Sequence, residues 1–256
     1  MINPDLHKKP ATLDRVSHRN LKLREDLNTL HAAAGLNSFF VTVAEFGDAC
    51  REYPILFLRA GTDAQGKPQV APVAVFGLSQ GENLFLPKDA TGALPASTRW
   101  QGRYVPAALR AYPFTMAKVD ETQLAMCIDE SWAGWSQEQG RALFDEKGEA
   151  TPFLEELRKF TEQIEIEIER TRLAGQTLME MGLLQDRRFD ATLPDGSPLA
   201  VEGFMALDEK RYAELTDAEV LTLHKRGLFA VLHLHQISLG NMRWLLERRL
   251  GSAVPV

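Results

Sequence analysis

From Phe153 to Met181 apolar residues return at every third or fourth position: Phe153, Leu157, Phe160, Ile164, Ile168, Thr171, Leu178 and Met181, with Ala174 or Gly175 filling the one gap. That spacing matches a helix with one buried stripe. Thr151 can cap it, Pro152 suits its first position, and Glu155 and Glu156 lie at the positive end of its dipole. Gly182 can end it. Inside the same stretch "QIEIEIER" alternates strictly, as a strand does. The helical frame continues on both sides, and Glu and Arg favour helix, so the helix wins. Ile166 and Leu173 then fall off the stripe. Contact with an N-terminal arm is the simpler explanation; a homodimer seam is the alternative.

The preceding segment has a different character. "SFFVTV", "YPILFLRA", "VAPVAVFGL", "FTMAKV" and "QLAMCID" are short, β-branched or aromatic runs. "GTDAQGKPQ" and "DET" supply turns between them, and "SQGENLFLP" reads as a hairpin around Gly81-Glu82-Asn83. These runs predict a mainly antiparallel sheet. "KDATGALPASTR" is a long surface loop. After the long helix, "FDATLPDGSPLAVEGFMALD" reads as a hairpin around Asp195-Gly196. Thr216 and Glu219 form a capping box for a helix that Gly227 closes. A last helix starts at Leu228 and weakens near Gly240. The expected fold is α+β: an arm over residues 1–37, then one domain over 38–256, sheet-rich to 150 and helix-rich from 151. Asn20 to Leu30 carries leucines in a partly helical pattern.

The chain has 256 residues, 45% hydrophobic and 25% charged, with a formal net charge of -6. The negative balance argues against nucleic acid, whose phosphates demand excess Lys and Arg. No apolar run approaches the roughly 20 residues that span a bilayer. Leu228 to Leu239 is interrupted by His233, His235 and Gln236. The first residues carry no apolar signal-peptide core. Cys50 and Cys127, the only cysteines, fit a reducing cytoplasm and exclude a cysteine zinc site of the usual kind.

"GRYVPAALRAYPF", residues 102–114, concentrates aromatics, prolines and arginines. Pro106 and Pro113 push Val105 and Tyr112 towards extended geometry, and "AALRA" can make one helical turn. The expected form is strand, turn, strand: a stiff corner with buried rings. Arg103 and Arg110 can clamp a carboxylate, and Tyr104 and Tyr112 offer hydroxyls. Arg110 needs a partner, for which an Asp from one of the Asp-Glu pairs is a natural candidate.

Those pairs are Asp129-Glu130, Asp145-Glu146 and Asp208-Glu209. Paired carboxylates can hold a metal or share acid and base work. Each also stands where an apolar run meets a turn, a common place for Asp to cap backbone amides. His235 can bond Ser238 on a helix, but no third member or oxyanion hole accompanies the pair. His233 and His235 lie two apart, on different helix faces. Trp132 and Trp135 can stack on a ligand, though packing is the simpler reading. No phosphate loop, GxGxxG, HExxH or GxSxG is present.

"EYPILF", "PVAVFGLSQGENLF", "RYVPAALRAYPF", "CIDE", "LFDEKGE", "DGSPLAVEGFMALDE" and "HLHQISLGNMRWL", in this order, resemble the bacterial SapC-like family. The resemblance runs from about Phe39 to Leu246; the loop before Trp100 is longer than the family's usual link. The family takes its name from association with a surface layer. The resemblance implies genes near TonB-dependent receptors and flavin-dependent halogenase-like proteins, and so a role in uptake or modification of a nutrient or peptide. It supplies no catalytic residues.

The reading is therefore a cytoplasmic accessory or binding protein in preference to an enzyme. Its expected partner is a protein or a small acidic ligand, at a site drawn from Arg103, Tyr104, Arg110, Tyr112, Asp129 and His235. No cofactor or metal is predicted. One alternative is a metal- or carboxylate-assisted enzyme using Asp129, Glu130, Asp145 or Asp208 with His235. Another is a surface-layer structural protein.

Overall fold

The computed structural model describes residues 2–63, 65–120 and 123–251. Its strands are β1 (Pro10–Thr12), β2 (Lys22–Leu23), β3 (Ser38–Phe40), β4 (Ile55–Thr62), β5 (Pro68–Val75), β6 (Phe114–Lys118), β7 (Leu124–Asp129), β8 (Trp135–Ser136), β9 (Arg141–Ala142), β10 (Leu184–Thr192) and β11 (Pro198–Leu207). Its helices are α1 (Phe46–Ala49), α2 (Ala107–Ala111), α3 (Pro152–Glu180), α4 (Glu209–Ala213), α5 (Asp217–Lys225), α6 (Leu228–Leu239) and α7 (Asn241–Arg249). The fold is α+β, with antiparallel sheets, one long helix and a C-terminal helical pair. Among the described residues no helix is long and apolar enough to cross a membrane.

The chain forms two compact units. The first takes Met1–Ala34, Leu86–Gln101 and Ala107–Ile166; the second takes Gly35–Phe85, Gly102–Pro106 and Glu167–Val256. In the first, β1, β7 and β6 make an antiparallel sheet, and β8, β2 and β9 a smaller one. β6 and β7 pair as the sequence predicts, from Phe114↔Ile128 to Lys118↔Leu124. Glu121 and Thr122, in the "DET" turn, lie outside the described residues, as does Ala64 of "GTDAQGKPQ". Phe114, Ile128, Leu143 and Leu154 form a core against which Leu21, Met126 and Trp135 pack. The lead-in thus contributes strands: Pro10–Thr12 pairs with Asp129, Ile128 and Cys127. The partly helical pattern of residues 20–30 gives way to β2, with a 3-10 helix only at Thr29–Ala33. Leu21 and Leu23 are held by the unit's core, which overrides a local pattern too short to nucleate a helix.

In the second unit five strands run β10-β11-β4-β5-β3. The hairpin from the helix-rich half completes a sheet begun in the sheet-rich half, through Met205↔Phe57. Tyr53, Phe76 and Phe85 meet edge-on, with Tyr53–Phe85 centroids 4.8 Å apart. The expected hairpin at Gly81 forms only its turn. Leu84 donates to the Phe76 carbonyl at 2.9 Å, but no strand follows. Phe85 instead turns inward, beside Trp244 and beneath the Arg248 guanidinium.

The helical signals are realised closely. The Thr151 hydroxyl accepts the Leu154 amide at the start of α3. Thr216 and Glu219 make the reciprocal capping box of α5. Gly227, at φ 67°, lies between α5 and α6, and Gly240 separates α6 from α7. Ile166 and Leu173, off the main apolar stripe, are 61% and 47% exposed.

Candidate functional site

The segment 102–114 divides between the units, and each portion is fastened within its own. In the second unit the Arg103 amide donates to both Glu52 carboxylate oxygens, at 2.6 and 2.8 Å. The Tyr53 hydroxyl donates to the Tyr104 carbonyl. The Tyr104 hydroxyl donates to Glu45 Oε1 at 2.7 Å, while Glu45 Oε2 accepts the Thr42 amide and hydroxyl at 2.8 Å each. Residues 102–106 form no strand. Their backbone is held by side chains instead, which is why the strand expected there is missing.

In the first unit Ala107–Ala111 makes the expected single helical turn, followed by a cis Tyr112-Pro113 bond and β6. Tyr112 points to Asp129, whose carboxylate is fully buried. Asp129 Oδ2 accepts the Tyr112 hydroxyl at 2.9 Å and the Lys8 amide at 3.3 Å. Oδ1 accepts the Lys9 amide at 2.9 Å, the Ser131 amide at 3.1 Å and the Ser131 hydroxyl at 2.7 Å. Burial alone would raise the Asp129 pKa. Hydrogen bonds from Ser131, the Lys9 amide and Tyr112 outweigh it and hold the carboxyl below its ordinary value. The Tyr112 phenol is pushed up, first by burial and then by its bond to Asp129. His7 rests against Tyr112, ring centroids 5.7 Å apart, and burial lowers its pKa. Arg110 lies over the Phe160 ring, 5.3 Å from its centroid.

The other pairs behave as caps. Asp145 Oδ1 accepts the Lys147 and Glu149 amides, both at 2.9 Å. Asp208 caps α4 through the Lys210 and Arg211 amides. Glu130 is paired with Lys9 at 2.8 Å and meets His18 at 3.5 Å. Among the described residues no group of three or more His, Cys, Asp or Glu is placed to hold a metal ion. Trp135 donates its indole N–H to the Asp129 carbonyl and meets Trp132 and Phe114 edge-on.

His235, in the second unit, is fully buried. Its Nε2 accepts the Leu207 amide at 3.1 Å, and its Nδ1 lies 2.7 Å from the Ile55 carbonyl. Nδ1 therefore carries the proton of a neutral ring. Burial lowers the His235 pKa to about 4, against a smaller opposing effect from the Ile55 bond. Ser238 donates to the His235 carbonyl and receives the Ile55 amide. The pair ties α6 to β4 and β11; its hydroxyl and imidazole do not bond each other. Of the residues singled out in the sequence, Tyr112 and Asp129 are brought together, while Tyr104 and His235 each have partners of their own.

A different place in the second unit is open. A groove of about 420 Å³ is bounded by β4, β10, β11, α4, α6 and α7. Leu56, Phe189, Phe204, Ala206, Leu239 and Met242 make its apolar walls. Strand alternation explains the facing. Arg187 pairs with Phe204 in register, and Phe189 with Val201. Between them Arg188 opposes both Glu202 and Gly203, a bulge that Gly203 permits at φ 82°. Arg187, Arg188, Arg243 and Glu209 also line the groove. Arg188 is paired with Asp190 and Glu202, and Arg243 with Glu247. A second cavity, of about 360 Å³, lies beside Val43, Leu173 and Leu228. There Arg170 meets Glu167 at 3.7 Å and Arg226 bonds the Thr177 hydroxyl.

The sequence reading missed this groove. Its one local signal is the "VEGF" glycine, which interrupts an alternating strand as bulges do. Its walls come from six separate elements, so no motif gathers them.

A family model described as SapC matches residues 13–245. No curated protein and no solved structure matches the chain.

Proposed function

The chain belongs to the SapC family, and on that premise we propose that it is a binding or accessory protein that takes a small ligand in the groove between the β10–β11 hairpin and the α6–α7 junction. The observation that carries this reading is the groove itself. Its volume of about 420 Å³ falls in the range typical of small-molecule sites, and so does its combination of apolar walls with a few charged rim groups. The polar residues that looked functional in sequence serve the backbone: Asp129 gathers five donors, and His235 joins three elements. The setting we propose is the cytoplasm, where the two free, buried thiols of Cys50 and Cys127 stay reduced. A place in nutrient or peptide uptake or modification is consistent with that role.

Gly240 offers a clean test. It lines the groove at helical φ -57° and ψ -27°, and an added Cβ meets only the Ile237 carbonyl, at 3.5 Å. Gly240→Leu thus blocks the groove without backbone strain and removes freedom from the unfolded chain. Nile red, a neutral polarity-sensitive dye, should bind the wild type saturably and lose roughly tenfold or more in affinity in Gly240→Leu, with the melting temperature held. Equal saturable binding by both proteins, or none by the wild type, overturns the proposal.

A further inference from the structure

The groove's charges are unevenly satisfied. Arg188 and Arg243 spend theirs on Asp190, Glu202 and Glu247, and neighbouring Asp186 is taken by Arg59 at 2.8 and 2.9 Å. Among the described residues the side chains of Arg187 and Glu209 have neither a hydrogen bond nor an ion pair, although both line the same groove. They do not pair with each other. One cation and one anion are therefore left on the rim of a single apolar cavity, attached to different elements, β10 and α4.

Resting on the groove as the ligand site, we propose that its ligand is an apolar zwitterion: a short peptide with free ends, bound by its carboxylate to Arg187 and its ammonium group to Glu209. A guanidinium can take a carboxylate through two parallel N–H···O bonds. A carboxylate can accept the ammonium protons. The body of the ligand then lies against Phe189, Phe204, Leu239 and Met242, displacing water from them. A fatty acid would use Arg187 and leave Glu209 facing apolar surface. A cationic amphiphile would do the reverse. A zwitterion answers both charges and the apolar walls together.

The test displaces Nile red with three matched probes: Leu-Leu, N-acetyl-Leu-Leu and Leu-Leu amide. Wild type should prefer the free dipeptide over either blocked form by roughly tenfold, the scale of one charge-assisted hydrogen bond. Arg187→Gln should erase the preference for a free carboxylate and keep that for a free amine; Glu209→Gln should do the opposite. Both residues are exposed, so both variants should fold, and dye affinity reports that the groove is intact. Equal displacement by all three probes overturns the zwitterion. So does selectivity that ignores both substitutions, or a dye that Gly240→Leu expels but Leu-Leu does not displace. In those cases the groove remains a ligand site. If Gly240→Leu leaves dye binding unchanged, the binding reading itself has failed.

Discussion

Asp129→Asn should destabilise the protein by about 3 kcal/mol in urea unfolding at neutral pH. Five donors converge on this carboxylate: the Lys8, Lys9 and Ser131 amides and the Ser131 and Tyr112 hydroxyls. Asparagine keeps the shape but replaces one acceptor oxygen with an NH2 that faces donors. Each buried donor left without a partner costs on the order of 1–3 kcal/mol. The losses are shared among donors in one network, so they do not sum in full. The variant should also change the acid limb. The folded pKa of Asp129 lies below its unfolded value. Its contribution is therefore complete above the unfolded pKa, about 3.9, and is lost as pH falls through the folded value. Asp145→Asn, in an exposed turn, is the control and should cost well under 1 kcal/mol. Stability of Asp129→Asn equal to that of the control would mean the hub is not structural.

His235→Leu should do two things at once. At pH 7.5 it should cost about 2–4 kcal/mol, since the Leu207 amide and Ile55 carbonyl lose their buried partner. It should also flatten the dependence of stability on pH. The ring is neutral in the fold, with its pKa lowered to about 4, whereas the unfolded chain protonates it near pH 6.5. Between those values the unfolded state binds more protons, so stability rises with pH; it is complete above about 6.5 and declines as pH falls towards 4. A shift of that size corresponds to roughly 3 kcal/mol. His7, also lowered by burial, acts in the same direction and should leave a residual slope in the variant. Wild-type stability that is flat from pH 7 to 4.5 would show that His235 is not buried as a neutral ring.

The sequence was most informative where one local rule decides the outcome. α3 begins at Pro152 after its Thr151 cap, and Gly182 follows with φ 63°. The β10–β11 turn forms around Asp195-Gly196, with Gly196 at φ 83° and Ser197 bonded to Asp195. Caps, helical stripes and glycine turns depend on residues a few positions apart. What was not legible depends on residues far apart. Asp129 reads as a turn cap and does bond Ser131, but its Lys8 and Lys9 bonds come from 120 or more positions away. β11 gives no sign that it will pair with β4. Arg187 looks like any surface cation on a charged strand. Only the pairing of Arg187 with Phe204, and the helices bounding the same groove, gives it a place.

If ligand enters the groove, the Tyr-Pro-Arg corner takes no part in binding. Hydrogen–deuterium exchange of the wild type, with and without saturating Nile red, distinguishes the two places. The expected result is slowed exchange in peptides covering Arg187–Thr192 and Leu239–Arg243, with Gly102–Tyr112 unchanged. Protection centred on Gly102–Tyr112, with the groove peptides unaffected, would contradict it.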